Sequence, residues 1–253
     1  MERNDSMIGP LLMAACLLAA APAFAQAAGD PARDPKTTEV WAPVPTIVAT
    51  PVGTAPSDAI VLFDGRDVSA WESEQGGRVP WSVADGALTV VPGSKGIRTR
   101  QSFCDIQLHV EWRTPVETEG FEGQNRGNSG IFLQALYELQ VLDSYNNATY
   151  ANGQAGSIYK QAMPLVNASR APGQWQSYDI IWKAPRFSQG GGLTTPARIT
   201  VLHNGVLVQD DTVLAGKTEY IGAPSYAPHA CAPLYLQEHD SKVSYRNIWV
   251  REL

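Results

Sequence analysis

Four Asx-Gly dipeptides, Asp64-Gly65, Asp85-Gly86, Asn152-Gly153 and Asn204-Gly205, punctuate the chain after Asp58. Such pairs accept the positive backbone angles that tight hairpin turns demand, and between apolar runs they are strong turn signals. The runs they separate are too short for helices and are rich in β-branched and aromatic residues, so the pattern predicts an all-β chain. Candidate strands fall at residues 60–63, 81–83, 87–91, 104–113, 130–134, 137–142, 177–183, 198–203, 233–239 and 244–251. Ten short strands with no internal repeat predict a two-sheet antiparallel β-sandwich. The clearest hairpin is "VLHNGVLVQD", which assigns Asn204 and Gly205 to a turn.

A chain of 253 residues with 44% hydrophobic content builds a full core without staples. Its net charge of -6 and lack of clustered Lys and Arg exclude a general nucleic-acid binder, which must neutralise phosphates. A sugar or other neutral substrate suits it better. Residues 1–25 read as an export signal, because the apolar run in "MIGPLLMAACLLAAAPAFA" ends in the small-x-small pattern Ala23-Phe24-Ala25. The expected location is therefore periplasmic or secreted. Ala14-Ala15-Cys16 offers a lipoprotein reading, against which stand Met13 and the apolar run continuing past Cys16. Residues 26–58 form a Pro/Ala-rich strap or linker, in which Trp41, Ile47 and Val48 predict that part of it packs. Residues 59–253 form the β-sandwich domain. No later stretch is long and apolar enough to span a membrane. Beyond the signal only Cys104 and Cys231 remain; in an oxidising compartment they form either one disulfide or two buried thiols.

Side chains alternate across a strand, so parity sorts each one into two faces. In "CDIQLHVEWRT" Ile106, Leu108, Val110 and Trp112 form a core face, against Gln107, His109, Glu111 and Arg113. In "YELQVL" Tyr137, Leu139 and Val141 oppose Glu138, Gln140 and Leu142; in "PLYLQEH" Leu234, Leu236 and Glu238 oppose Tyr235, Gln237 and His239. Three strands thus carry a face of amides, carboxylates and imidazoles, the groups that bind sugar hydroxyls. The expectation is that they line one polar sheet, with Trp71, Tyr145, Tyr150, Tyr159 and Tyr178 as stacking platforms. A wet outer face without a role is the alternative.

The ordered strings "IVLFDGRDVSAWE", "WSVADGALTVVPG", "FCDIQLHVEWRTP", "GNSGIFL", "YELQVLDSY", "GSIYKQ", "WQSYDIIWKAPRF", "ARITVLHNGVLVQ" and "LYLQEHDSKVSYRNIWVREL", residues 60–253, resemble the 3-keto-disaccharide hydrolase domain family. The resemblance implies a concanavalin A-like jelly roll acting on glycosides oxidised at carbon 3. A ketone there acidifies the carbon-2 proton, so a base can form an enolate that expels the glycosidic oxygen from carbon 1, and water then adds to the enone. Such chemistry needs a general base, a cation or metal at the enolate oxygen and an acid for the leaving group.

Candidate catalytic residues are Glu138 for proton transfer, His239 as a proton relay and Lys160 for the enolate. Candidate substrate ligands are Gln140, Asn128, Glu111, Arg113, Tyr159, Gln237 and Asp143, with Glu111 and Arg113 also readable as a structural ion pair. No zinc or calcium signature is present; a divalent metal ion would have to draw on Asp143, Glu138 and His239. No dinucleotide fingerprint is present either, so oxidation of the sugar is expected of a separate oxidoreductase. Two other functions stay open: a non-catalytic glycan-binding module, and a conventional glycosidase in which Glu111 faces Glu138.

Overall fold

The computed structural model describes residues 34–253. The expected signal, residues 1–25, and Cys16 lie outside the described residues. The chain divides into two compact units, Met1–Ile47 and Val48–Leu253. In the first, a 3-10 turn at Pro35–Thr38 is capped by Asp34, whose Oδ1 accepts from Lys36 N at 3.0 Å. Trp41 and Ile47 are exposed, which corrects the expectation that they pack; Val48, the first residue of the second unit, is half-buried.

The regular structure of the second unit is nearly all strand. Its elements are β1 (Ile60–Phe63), β2 (Trp71–Ser73), β3 (Ser82–Ala84), β4 (Ala87–Thr89), β5 (Ile97–Phe103), β6 (Ile106–Arg113), β7 (Ser129–Leu133), β8 (Tyr137–Val141), β9 (Gln176–Lys183), β10 (Arg186–Phe187), β11 (Leu193–Thr195), β12 (Arg198–His203), β13 (Val206–Val213), β14 (Ala232–Leu236) and β15 (Ser244–Glu252). An eight-stranded sheet runs β13-β12-β9-β6-β15-β4-β3, with β1 also paired to β15. A five-stranded sheet runs β2-β5-β14-β7-β8, and β10 and β11 form a separate hairpin. All the pairings are antiparallel; Asp85-Gly86 and Asn204-Gly205 close the β3–β4 and β12–β13 hairpins, whereas Asp64-Gly65 leads from one sheet to the other and Asn152-Gly153 lies in a 3-10 turn. Asn204 and Gly205 make the tight β12–β13 turn, both at positive φ.

The alternation in β6 is strict: Ile106, Leu108, Val110 and Trp112 are buried and their neighbours half-buried. The same alternation on the inner faces of both sheets builds one core, in which Trp71, Trp112, Trp182, Tyr137, Tyr178 and Tyr245 are fully buried. Each such side chain stabilises the fold by roughly 1.5–3 kcal/mol. Trp71 and Tyr178 are therefore core residues and not stacking platforms. The strand predicted at 233–239 is shorter than expected: β14 stops at Leu236, and Glu238 turns away to accept from Gly93 N at 3.2 Å and Asp240 N at 2.7 Å.

Cys104 and Cys231 form a disulfide, which settles the two sequence alternatives. They lie just beyond the paired residues Phe103 and Ala232 of β5 and β14, so the bond closes one end of the five-stranded sheet over a separation of 127 residues. Closing so long a loop removes entropy mainly from the unfolded chain. Replacing both cysteines with serine is expected to lower the unfolding free energy by about 2–4 kcal/mol. Urea titration reads this directly, and an unchanged midpoint would mean the bond leaves stability untouched.

Candidate active site

The outer face of the five-stranded sheet is floored by residues in direct register. Tyr235 pairs with Phe132, Phe132 with Glu138, and Gly130 with Gln140, while Gln237 N donates to Gly130 O at 3.0 Å. Alternation therefore points Phe132, Glu138, Gln140 and Gln237 to one side. Gly130 is needed there: a Cβ at this position would lie 2.7 Å from Glu138 Oε1 and 2.7 Å from the Phe132 ring. The missing side chain leaves the space the carboxyl occupies.

Loops wall this floor into a cleft of about 550 Å³, within the ordinary range of ligand sites. The segment after β8 runs back along it, with Gln140 N donating to Ser157 O and Tyr159 N to Glu138 O. It brings Tyr150, Tyr159 and Lys160 to the wall. Lys160 sits at φ 58°, a left-handed conformation unusual for a side-chain-bearing residue. Its Nζ donates to Tyr220 O at 2.6 Å and lies 4.2, 5.6 and 5.9 Å from the ring centres of Tyr220, Tyr159 and Tyr150. The two hydroxyls of Tyr150 and Tyr159 are 2.7 Å apart. Gly153 passes so close under Tyr150 that a Cβ would come within 2.1 Å of the ring. Thr218 fixes β8 from outside, its Oγ1 accepting from Glu138 N at 2.9 Å.

On the other wall the amides form a chain. Gln140 Nε2 donates to Gln124 Oε1 and Asn128 Oδ1, both at 3.2 Å, and Asn128 Nδ2 donates to Gln124 O at 2.7 Å. The side-chain Oε1 atoms of Gln140 and Gln237 are buried without a protein partner. A buried acceptor left unpaired is costly, so both are ready to receive ligand hydroxyls. His239 lines the same side beyond the end of β14.

Glu138 is the one carboxylate among the residues lining the cleft. It is only 6% exposed, and desolvation by burial pushes its carboxyl up from the usual range to about 8. Burial, followed by the hydrogen bond with Tyr150, also raises the Tyr159 phenol, which keeps its proton.

Seven of the ten sequence-predicted residues thus meet: Glu138, His239, Lys160, Gln140, Asn128, Tyr159 and Gln237. Three do not. Glu111 and Arg113 belong to β6, on the outer face of the other sheet and so on the opposite side of the sandwich. Nor do they pair with each other. Glu111 accepts from Arg246 Nε at 2.6 Å and Asn247 Nδ2 at 2.9 Å; burial alone would raise its carboxyl, but these bonds outweigh it and hold the group below its ordinary value. Arg113 lies 4.6 Å over the Trp175 ring. Asp143 is buried beneath the loops, with Oδ2 2.9 Å from Arg126 Nε and Oδ1 accepting from Tyr145 N. Its role is to anchor residues 126–145, and Tyr145 is no part of the cleft lining.

That ion pair also bears on the metal. The Asp143, Glu138 and His239 set does not assemble, and no group of three His, Cys, Asp or Glu side chains suited to an ion occurs among the described residues. Sequence reasoning missed Phe132, Gln124, Asn125, Thr218 and Tyr220 as lining residues. Parity with Gly130 would have found Phe132; Gln124 and Asn125 stand on one short 3-10 turn, Gly123–Asn125, and Thr218 and Tyr220 on a loop, and neither is long enough or regular enough to show a period.

Two solved structures share this architecture. A crystal structure of a candidate glycosyl hydrolase from Parabacteroides distasonis ATCC 8503 is 51% identical, covering 89% of this chain and 99% of its own, with a TM-score of 0.85. A second from the same organism, described in the same way, shares the fold at 20% identity and a TM-score of 0.55, covering 78% of this chain and 94% of its own. No curated protein matches the chain. The family model of the 3-keto-alpha-glucoside-1,2-lyase-like domain matches residues 58–251, most of the sequence and all of the cleft, and to that family the chain belongs.

Proposed function

We propose that this protein cleaves 3-keto-glycosides by elimination and water addition. The observation that carries the reading is the solitary carboxyl. A conventional glycosidase needs two carboxyl groups about 5–10 Å apart. The cleft offers Glu138 alone, and the alternative pairing with Glu111 fails because Glu111 lies on the opposite side of the sandwich. Elimination next to a ketone needs only one such group, because the proton taken from carbon 2 is later returned to it. Family membership and the glycosyl hydrolase description of the 51% identical structure support a glycosidase-type enzyme.

In this reading the Glu138 carboxylate removes the carbon-2 proton, and the electron pair of the C–H bond moves into an enolate whose oxygen is carbon 3's. Lys160 faces that developing charge, with the Tyr159 phenol beside it as a proton-holding donor. The enolate collapses to the ketone, carbon 1 and carbon 2 form a double bond, and the aglycone oxygen leaves with a proton from His239. Water then adds its hydroxyl to carbon 1 and gives its other proton to His239, while Glu138 returns its proton to carbon 2, releasing 3-keto-glucose and restoring both residues. The unpaired side-chain carbonyls of Gln140 and Gln237 accept sugar hydroxyls. A carboxyl poised near 8 is a stronger base than an ordinary glutamate and is still partly ionised at neutral pH. Export through residues 1–25 and a separate oxidoreductase that makes the 3-keto sugar complete the proposal.

Incubation with a 3-keto-disaccharide and with its unoxidised parent tests it: free 3-keto-glucose should form from the keto sugar alone. Saturable binding without product would instead leave a glycan-binding module. Glu138→Gln should lower kcat by about 10²–10⁴-fold, and Lys160→Gln by about 10²-fold, with both proteins folded by circular dichroism.

The wild-type kcat/KM should rise with pH through a midpoint near 8, following ionisation of Glu138; a midpoint near 4.5 would remove Glu138 as the base. Stability should move the opposite way. The unfolded chain ionises this residue near its ordinary 4.5 and the folded protein only near 8, so the wild type loses stability as pH rises between those values. Glu138→Gln lacks that titration, and its urea midpoint should fall less over the same interval.

A further inference from the structure

A second hollow of about 280 Å³ adjoins the cleft and shares Asn125 with it. Its place is set by the sheet. Across the floor the order is β14, β7, β8 and then the returning segment that carries Tyr159 and Lys160. His239, which follows β14, therefore stands on the side away from Lys160. The second hollow is on the His239 side, since Asp240, Ser241 and Lys242 continue directly into it.

The two hollows differ in chemistry. The first holds buried side-chain carbonyl oxygens without partners on Gln140 and Gln237, which call for hydroxyl groups. The second is lined by Pro92, Pro115 and Phe121, which leaves 48% of its surface in water, together with the charged side chains of Glu117, Asp240 and Lys242. Its serine is already engaged, Ser241 Oγ accepting from Asn128 N at 3.3 Å. Two rigid proline rings and an exposed phenyl ring in one lining favour a flat apolar group, with the charged residues left for its polar edge.

We propose that this hollow is the aglycone subsite and that its preferred occupant is an aryl group. The orientation rests on the elimination reading: with the keto ring at Lys160 and the leaving oxygen at His239, the aglycone is directed past Asn125 towards Phe121. The apolar preference itself rests only on the lining.

The test compares wild type with Phe121→Ala on 4-nitrophenyl 3-keto-glucoside and on a 3-keto-disaccharide. The ratio of variant to wild type for each substrate cancels the intrinsic leaving-group difference. Phe121→Ala should lower kcat/KM for the aryl substrate about tenfold and leave the disaccharide within about twofold. Equal losses on both, which would mark a sugar subsite, or no loss on either, would overturn the proposal. Calorimetric binding of the unoxidised 4-nitrophenyl and methyl glucosides gives an arm that needs no turnover. Wild type should bind the aryl glucoside about tenfold tighter, and Phe121→Ala should abolish the gap. If that gap appears while neither keto substrate is turned over, the elimination reading falls and the aryl subsite stands; if wild type shows no gap, the subsite falls whatever the turnover.

Discussion

Two tyrosine hydroxyls cross the core and tie the sheet that carries the cleft to the sheet behind it. Tyr178 of β9 donates to the backbone carbonyl of Gln140 at 2.8 Å, and the Tyr245 hydroxyl of β15 lies 2.6 Å from Ser129 Oγ on β7. Each must find a partner because it is fully buried, and each finds it on one of the two strands that set the floor. The rings deliver apolar area to the core while the hydroxyls fix the offset between the sheets. A slip of one residue in β8 would turn Glu138 and Gln140 into the core and Leu139 out of it. The cleft's chemistry thus depends on a register held from behind.

The electrostatics of the cleft follow from what is kept apart. Glu138 is raised by burial, with no ion pair to bring it down. Lys160 gives its proton donors to the Tyr220 carbonyl and its charge to three rings, so no compensated pair forms that a substrate would have to break. Across the sandwich the opposite arrangement holds: Glu111, Arg246 and Asn247 satisfy one another and His109 Nδ1 lies 2.6 Å from Asp179 Oδ1. Similar residue types there make a finished network. An unfinished set of groups distinguishes the cleft from that outer face.

This contrast also explains what the sequence could reveal. Alternation in β6, β8 and β14 located the apolar faces, and the buried amide and carboxyl of "YELQ" were legible because polar residues rarely stand on so apolar a strand. Parity assigns a side chain to a face but not to a sheet, so Glu111 and Arg113 looked equivalent to Glu138 and Gln140. Asp143 looked like a ligand because its partner Arg126 lies in an irregular loop, where no period forecasts contact. Gln124, Asn125, Thr218 and Tyr220 were invisible because their short turn and loop show no period either. β5 was missed because its sequence "IRTRQSF" is polar at three consecutive exposed positions, although tertiary pairing on both sides holds it as a strand.

The division between sheet and loop has a physical logic for a two-step reaction. In the proposed reaction the group that would take and return one proton stands on a strand whose backbone is bonded on both sides, which holds its position between the steps. The cation stands on a loop held at positive φ, a conformation costing roughly 1–3 kcal/mol that persists only because Asn152 O and the tyrosine rings over-determine it. Relaxing that strain would swing Lys160 away from the floor without disturbing a single sheet hydrogen bond. In the proposed mechanism acid–base function and charge stabilisation would therefore rest on different elements, the first on a strand of the sandwich and the second on one loop.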